Sequence, residues 1–498
     1  MISSRARRSA LLGLVSALVA MAAAPAGGPA AAAPPPAGGA AVAAAAPAVA
    51  PTDWPAFLHD ARHTSQAATA TAITPANAAT LRRAWRFAPT VTGGPAPISA
   101  FWASPTVVGG VVYIGANNGR FYALDLATGA VRWQRLLGFA PALTCSGIGI
   151  VSTATVAPDP VSGALTVYVG SPDGYLYTLD AATGALRWRA VINLPSPTAN
   201  DYFAWTSPTI ANGVIYMGSA SNCDIPLTRG SVKSYDQATG QLIATWFTVA
   251  AGVGGGGVWS TPAIDPIDGS VFVTTGTQPA TGPAYASVSI VRLAARTLTV
   301  LGRWTIPPAE RASDGDFGAS PVMFNGLVAG QPTALVAACN KNGLLYAWKR
   351  FALGAGPVWK VRIGATAAAT GVAMCISSPI WDGRLLYQGG DATTVGGVAF
   401  AGSVRAINPS TGAFVWERGL PKTVLGSPAL NGSGVIAAST YTTPGNESVA
   451  PATYLLDRQT GAILATLASG STAFAQPVFT GGMVLTATLG GLQAFTLP

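Results

Sequence analysis

From about residue 104 onward, short apolar runs alternate with turn signals at a period that suits strands and not helices. The clearest unit runs from Ser104 to Trp133. Its first apolar run follows Ser104-Pro105, and its second, VVYIG, ends in Asn117-Asn118-Gly119. Its third, FYALD, ends in Asp-x-x-Thr-Gly, and its fourth, AVRW, closes on Trp133. Asn118-Gly119 and Thr128-Gly129 supply the positive-φ geometry that tight hairpins need. Each unit therefore predicts one four-stranded antiparallel sheet.

Further copies start at Ala154, where the Ser-Pro is degenerate, and at Pro208, Pro262, Pro321, Pro379, Pro428 and Pro477. The closing tryptophan recurs as Trp133, Trp188, Trp246, Trp304, Trp359 and Trp416, at spacings of 55 to 58 residues. The seventh copy ends in Leu-Ala-Thr-Leu instead. The eighth stops at the C-terminus after its third strand, and one strand of the closing type, LRRAWRF around Trp85, is left over near the N-terminus. The two fragments complete each other. The fold expected is an all-β, eight-bladed propeller over residues 52–498, closed by an N-terminal strand so that no sheet edge stays open. The repeated Trp and Gly are read as packing between blades. Function should collect in two sets of loops on one face, those before the first strand of each blade and those between its second and third strands.

Composition agrees with this reading. Half of the 498 residues are apolar and 9% are charged, with 59 glycines and 38 prolines against five lysines. That is a turn-rich β composition with ample core. Mean hydropathy is +0.40, yet past the N-terminus no run of 18 apolar residues escapes interruption by Gly, Pro or charge. A polytopic membrane protein is excluded, and no transmembrane segment is expected once the leader is removed. Residues 1–26 carry Arg5, Arg7 and Arg8 ahead of an apolar stretch and small residues, which predicts a signal peptide for Sec or Tat export to a secreted or extracytoplasmic location. Residues 27–51 are almost wholly Ala, Pro and Gly, a composition for a loose tether. Losing the three leader arginines lowers the net charge from +9 to +6. These charges are dispersed, which argues against a nucleic-acid partner.

Four cysteines fall in the loops of the expected functional face. Cys145 precedes blade two, Cys223 lies in the second-to-third loop of blade three, Cys339 in that of blade five, and Cys375 precedes blade six. An even number in an exported chain argues for disulfides. Adjacency of blades favours Cys145 with Cys223 and Cys339 with Cys375 among three connectivities. A metal site is the weaker reading, because there is no Cys-x-x-Cys and the two histidines, His59 and His63, lie before the repeats.

The unit Tyr-x-Gly-x-x-x-Gly-x-x-Tyr-Ala-Leu-Asp-x-x-Thr-Gly-x-x-x-Trp, from Tyr113 to Trp133, resembles the repeat of pyrroloquinoline quinone (PQQ) dehydrogenases. That superfamily includes methanol, alcohol and polyvinyl alcohol dehydrogenases as well as non-enzymatic relatives, so the site motifs must decide between enzyme and scaffold. In VWSTPAIDP, Trp259 matches the indole that floors the quinone. In SDGDFGASP, Asp316 stands at the catalytic-base position of polyvinyl alcohol dehydrogenase, with Asp314 beside it as a cofactor-binding candidate. In CNKNGLLYAWKR, Lys341 matches the cation that contacts the quinone oxygens. The loop GSASNCDIPLTRGSVKSYD is similar to the segment supplying an acidic Ca²⁺ ligand, which makes Asp224 the candidate, with Arg229 after it as a cofactor-binding candidate on the cavity wall. Thr277 stands where the dehydrogenases present an Asn ligand to Ca²⁺. The adjacent Cys-Cys pair and the haem-binding Cys-x-x-Cys-His of some members are missing.

The resemblance thus implies PQQ and Ca²⁺ as cofactors, a small alcohol or polymer as substrate, and a separate electron acceptor. The alternative is a propeller that binds a protein or polymer on its loop face without catalysis. Trp259, Asp316 and Lys341 favour the first; Thr277 and the missing haem motif favour the second.

Overall fold

The computed structural model describes residues 49–69, 71–89, 101–145, 147–365, 374–443 and 445–498. The expected leader lies outside them, as does all of the tether but its last few residues. Val49, at the end of the tether, already packs against the core between blades one and two.

The apolar runs pair as their turns dictate. Among the described residues there are eight blades, each built on four antiparallel strands and successive along the chain, the first spanning 106–136 and the seventh 429–468; two of them gain a fifth strand, Tyr202–Phe203 and Gln66–Ala67, and Thr393–Val395 pairs with Val398–Phe400 as a separate hairpin. The eighth combines Val478–Thr480, Met483–Thr488 and Gly491–Thr496 with Arg82–Phe87 as its outermost strand. Trp85 faces Ala494 in that pairing. The ring is therefore sealed by hydrogen bonds between the two ends of the propeller.

The closing tryptophans hold neighbouring blades together in a repeated way. The Trp133 indole donates to the Ala181 carbonyl of the next blade at 3.0 Å. Its ring covers Gly184, at φ +70°, where a Cβ would lie 2.6 Å from the indole. Trp85, Trp188, Trp359 and Trp416 sit in the same way on the Thr-Gly turn of the following blade. Glycine at this turn thus serves two needs, a left-handed backbone and a flat seat for the indole.

The Ser-Pro signals form the innermost layer. Each residue before the proline turns its N–H into the channel, and the hydroxyl of the next blade's Ser or Thr accepts it. The circuit runs from Ser104 to Thr153, Ser207, Thr261, Ser320, Ser378 and Ser427, at 2.9–3.1 Å per link. Gln476 replaces the eighth member. Its N–H donates to Ser104 Oγ, while its side-chain amide accepts from the Leu58 N–H and donates to Ser65 Oγ.

That exchange serves an element the repeats do not announce. Residues 54–67 run as a belt along the inner strands, which are otherwise free edges. Trp54 pairs with Val107, and the carbonyls of Pro55, Ala61, Arg62, Thr64 and Ser65 accept from Val156, Ile264, Met323, Trp381 and Leu430. Gln66–Ala67 then adds a parallel strand to Ala429–Asn431. Six blades are stitched by one segment, and Phe57 reaches the channel below the hydroxyl circuit.

His63 of the belt is 1% exposed and its Nδ1 lies 2.8 Å from the Pro321 carbonyl, so the neutral ring donates there. Burial lowers its pKa from 6.5 to about 4, against the opposing pull of that carbonyl and of Asp60. A depressed histidine contributes stability that is whole above pH 6.5 and is lost as pH falls from 6.5 through 4. The expected loss across that window is about 3 kcal/mol. Denaturant melts at a series of pH values should show this slope, and His63→Gln should flatten it.

Candidate functional site

The residue three before each blade-opening proline, or before Ala154, points to the channel, and eight of them form a ring: Trp102, Val151, Trp205, Trp259, Gly318, Ile376, Leu425 and Phe474. This ring separates a lower chamber of about 100 Å³, walled by the hydroxyl circuit, from an upper cavity of about 530 Å³ open to the loop face. Trp102, Trp205, Trp259, Ile376 and Phe474 touch both spaces and so form the floor of the upper one.

Gly318 breaks the ring of side chains and gives the Trp259 indole its place. A Cβ at 318 would lie 2.4 Å from Trp259 Cη2 and 2.5 Å from Ile376 Cγ2. The indole occupies the gap left by the missing side chain and presents a flat surface to the cavity. Gly318→Ala should displace it at a cost of about 1–3 kcal/mol. A shifted tryptophan emission with the thermal transition retained would be the signature; an unchanged emission would contradict it.

Above this floor, polar groups come from three blades. Lys341 Nζ lies 2.8 and 2.9 Å from the Asp314 carboxylate oxygens, 3.2 Å from Asp316 Oδ2 and 5.4 Å from the centre of a Trp259 ring. The Asp316 side chain is 9% exposed, that of Asp314 53%. Burial disfavours the Lys341 ammonium, but the Asp316 and Asp314 charges outweigh it and its pKa lies above the usual lysine value. The backbone fixes this arrangement: Lys341 N–H donates to the Asp316 carbonyl at 3.0 Å, and Asn340 Nδ2 donates to the Gly315 carbonyl at 2.7 Å.

Thr277 Oγ1 lies 2.6 Å from Asp316 Oδ1 and 3.0 Å from Asp224 Oδ2. A hydroxyl has one proton, so it satisfies one of two converging carboxylates and leaves the other in need of a proton or a cation. Desolvation at the cavity wall, and then the Asp316 charge, raise the Asp224 pKa above the usual carboxylate range. Among the described lining residues three carboxylates face one ammonium. A divalent cation held by Asp224, Thr277 and Asp316 would balance that charge with hard oxygen donors of the kind Ca²⁺ takes. Lys341 would then be free to meet an anionic, flat ligand resting on Trp259. The residues present fit that pair of groups in charge, hardness and shape.

Arg229 does not join them. Its Nε donates to the Val249 carbonyl at 2.9 Å, its guanidinium lies 3.7 Å from the Phe247 ring centre, and its backbone bridges to Gly255. That pairing turns the side chain along the outside of blade three, away from the cavity it was expected to line. The structure joins Cys145 to Cys223 and Cys339 to Cys375, each pair linking neighbouring blades. Cys339 and Cys375 are fully buried, whereas Cys223 is exposed and lines the cavity.

The sequence reading passed over the glycine run 254–257, and the run is what brings blades three and four together at the site. A Cβ at Gly254 would lie 2.0 Å from the Leu227 carbonyl oxygen, and one at Gly257 would lie 3.0 Å from Ala220 Cβ. Gly256 N–H donates to the Thr277 carbonyl and Gly276 N–H to that of Gly257, both at 2.7 Å. A side-chain-free strap is thin enough to let Asp224 and Thr277 meet. Four consecutive glycines before Trp259 were the available signal.

Comparison with known proteins gives the chain a family and a fold. Residues 54–352 match the family model for the PQQ glucose/ethanol/alcohol dehydrogenase β-propeller domain. The chain is 25% identical over 289 residues to quinohemoprotein alcohol dehydrogenase ADH IIB of Pseudomonas putida, covering 50% of this chain and 39% of that one. It is 23% identical over 313 residues to the polyvinylalcohol dehydrogenase of Sphingopyxis sp. strain 113P3, covering 54% and 45%. The matches thus span less than half the length of these two relatives. A europium-containing methanol dehydrogenase superposes with a TM-score of 0.71 at 17% identity, over 90% of this chain and 98% of that one, which speaks for the fold. With a matching propeller and the family model spanning well over half its length, this chain belongs to the PQQ family of glucose/ethanol/alcohol dehydrogenase β-propeller domains.

Proposed function

We propose that the chain is an exported quinoprotein dehydrogenase that oxidises an alcohol in the upper cavity. The observation that carries this reading is the convergence of Asp316, Lys341 and Trp259 on one cavity. Packing gives no reason for a buried carboxylate, an ammonium held against it and a flat indole to meet there. When bound, PQQ would supply the two-electron acceptor and Ca²⁺ would polarise it. Trp259 would carry the flat face of the ligand and keep water from beneath it. Lys341, bonded on one side to Asp314 and Asp316, would direct its remaining donor to a ligand oxygen. Asp316 would take the hydroxyl proton of the alcohol at its carboxylate, a step suited to a base that is shielded from solvent and held in place by Lys341 and Thr277. A separate carrier would remove the electrons. The polyvinylalcohol dehydrogenase relative makes a polymer a substrate candidate beside small alcohols.

Two disulfides suit an oxidising compartment, which supports export by a leader at 1–26; the tether at 27–51 and the propeller beyond it stand on the sequence composition and repeats. The test is dye-linked oxidation of alcohols by mature protein supplied with PQQ and Ca²⁺. The presence of Thr277 where relatives carry Asn favours a second reading, a loop-face scaffold for a protein or polymer. That reading predicts neither turnover nor saturable quinone binding.

A further inference from the structure

The loop that carries Asp224 is held in an unusual way. Residues 223–226 form an exposed tip, and Cys223 and Asp224 both have left-handed backbones, at φ +62° and +57°. Neither is glycine, and a left-handed backbone is uncommon for a side-chain-bearing residue unless the surrounding structure holds it. The base of the loop is closed by Thr228 N–H donating to Ser221 Oγ at 2.8 Å. The tip is tied from a neighbouring blade. Cys145, in the connector before blade two, is bonded to Cys223, and the adjacent Thr144 Oγ1 lies 2.7 Å from the Ile225 carbonyl oxygen. Those two ties grip the chain on both sides of Asp224.

We infer that the Cys145–Cys223 disulfide is a positioning element for the cation site: it holds Asp224 beside Thr277 and Asp316, and its reduction releases Asp224 from the site. This rests on the proposed role of Asp224, Thr277 and Asp316 as the cation's ligands. The other disulfide is a contrast built into the same molecule. Cys339 and Cys375 are both fully buried among core side chains of blades five and six, where a reductant does not reach and no candidate ligand adjoins them in sequence. Cys223 is exposed at the cavity rim, so thiol–disulfide exchange with an external dithiol should open the first bridge, leaving Cys145 and Cys223 as thiols and the dithiol as its own cyclic disulfide, while the second bridge stays closed. The positioning bridge thereby makes cation affinity dependent on redox state while the fold stays intact.

The probe is Tb³⁺, a calcium-like ion excited through nearby indoles, titrated into mature protein without quinone. Wild-type protein is expected to give saturable luminescence. Cys145→Ser/Cys223→Ser should bind about tenfold more weakly or worse, since each 1.4 kcal/mol of lost preorganisation is tenfold. Asp224→Asn should bind as weakly, and combining it with the double serine variant should add nothing, because both changes remove the same ligand. Should the serine variant fail to fold, mildly reduced wild-type protein, with the Cys339–Cys375 bridge verified intact, decides. Affinity within about twofold of wild type after loss of the bridge, or additive losses, would overturn the inference. No saturable Tb³⁺ binding by wild-type protein would overturn the cation reading itself, and this inference with it.

Discussion

Asp316→Asn is expected to lower alcohol oxidation by at least about 100-fold while changing quinone affinity by less than about threefold. The carboxylate is the buried member of its pair, 3.2 Å from Lys341 and 2.6 Å from Thr277, and those contacts hold it rigidly over the floor. An asparagine of the same shape keeps its carbonyl oxygen for Lys341, turns its amide N–H toward the Thr277 hydroxyl, which then accepts, and cannot take the proton. Lys341→Ala should behave in the opposite way, weakening quinone binding by about tenfold or more, because the site then has three carboxylates and no cation of its own. Steady-state kinetics and binding isotherms of the two variants separate the roles. Equal losses in both measurements for both variants would mean that the pair is a structural unit and not a base with a separate anchor.

Deleting the chain through Phe87 is expected to abolish cooperative folding, whereas deletion of 27–48 should leave the melting temperature unchanged. The first deletion removes Arg82–Phe87 from the eighth sheet and exposes the edge strand Gly491–Thr496. It also removes the belt and the segment that follows it, in which Trp54, Leu58 and Ile73 are each 0% exposed. Burial of three such side chains is worth about 5 kcal/mol or more. A whole domain is typically stable by about 5–15 kcal/mol, so the ring has little to set against that loss. Thermal melts of the two truncations, read by circular dichroism, distinguish a closed ring from one in which the N-terminal segment is an ornament.

The parts of this fold that can be read from sequence are those that repeat for a packing reason. Trp133 on Gly184 and its counterparts need a large indole and a glycine at fixed offsets, so the blade count and the closure by Trp85 follow from counting them. The belt does not repeat. Most of its bonds to the inner strands are made by backbone carbonyls, and a backbone bond leaves no preference for a side chain, which is why 54–67 reads as an unremarkable extension. Gln476 is its one trace in the repeats, a long amide where the other blades have a hydroxyl. At the site, Trp259, Asp316 and Lys341 are legible because each lies beside a regular feature, the Ser-Pro or the Asn-Gly turn. Arg229 illustrates the opposite case. It follows a loop whose path depends on the glycine strap, and its pairing with Gly255 sets its direction by contacts that no local pattern encodes. Gly318 carries a further lesson: its function is to be empty, and only the position of the Trp259 ring reveals it.

The proposed function rests on the upper cavity holding a quinone on Trp259. Titration of PQQ into mature protein with Ca²⁺, followed by quenching of tryptophan emission, tests this most directly. Saturable one-to-one binding is expected, weakened about tenfold or more in Lys341→Ala. Quenching that never saturates, or that is the same in Lys341→Ala, would contradict it.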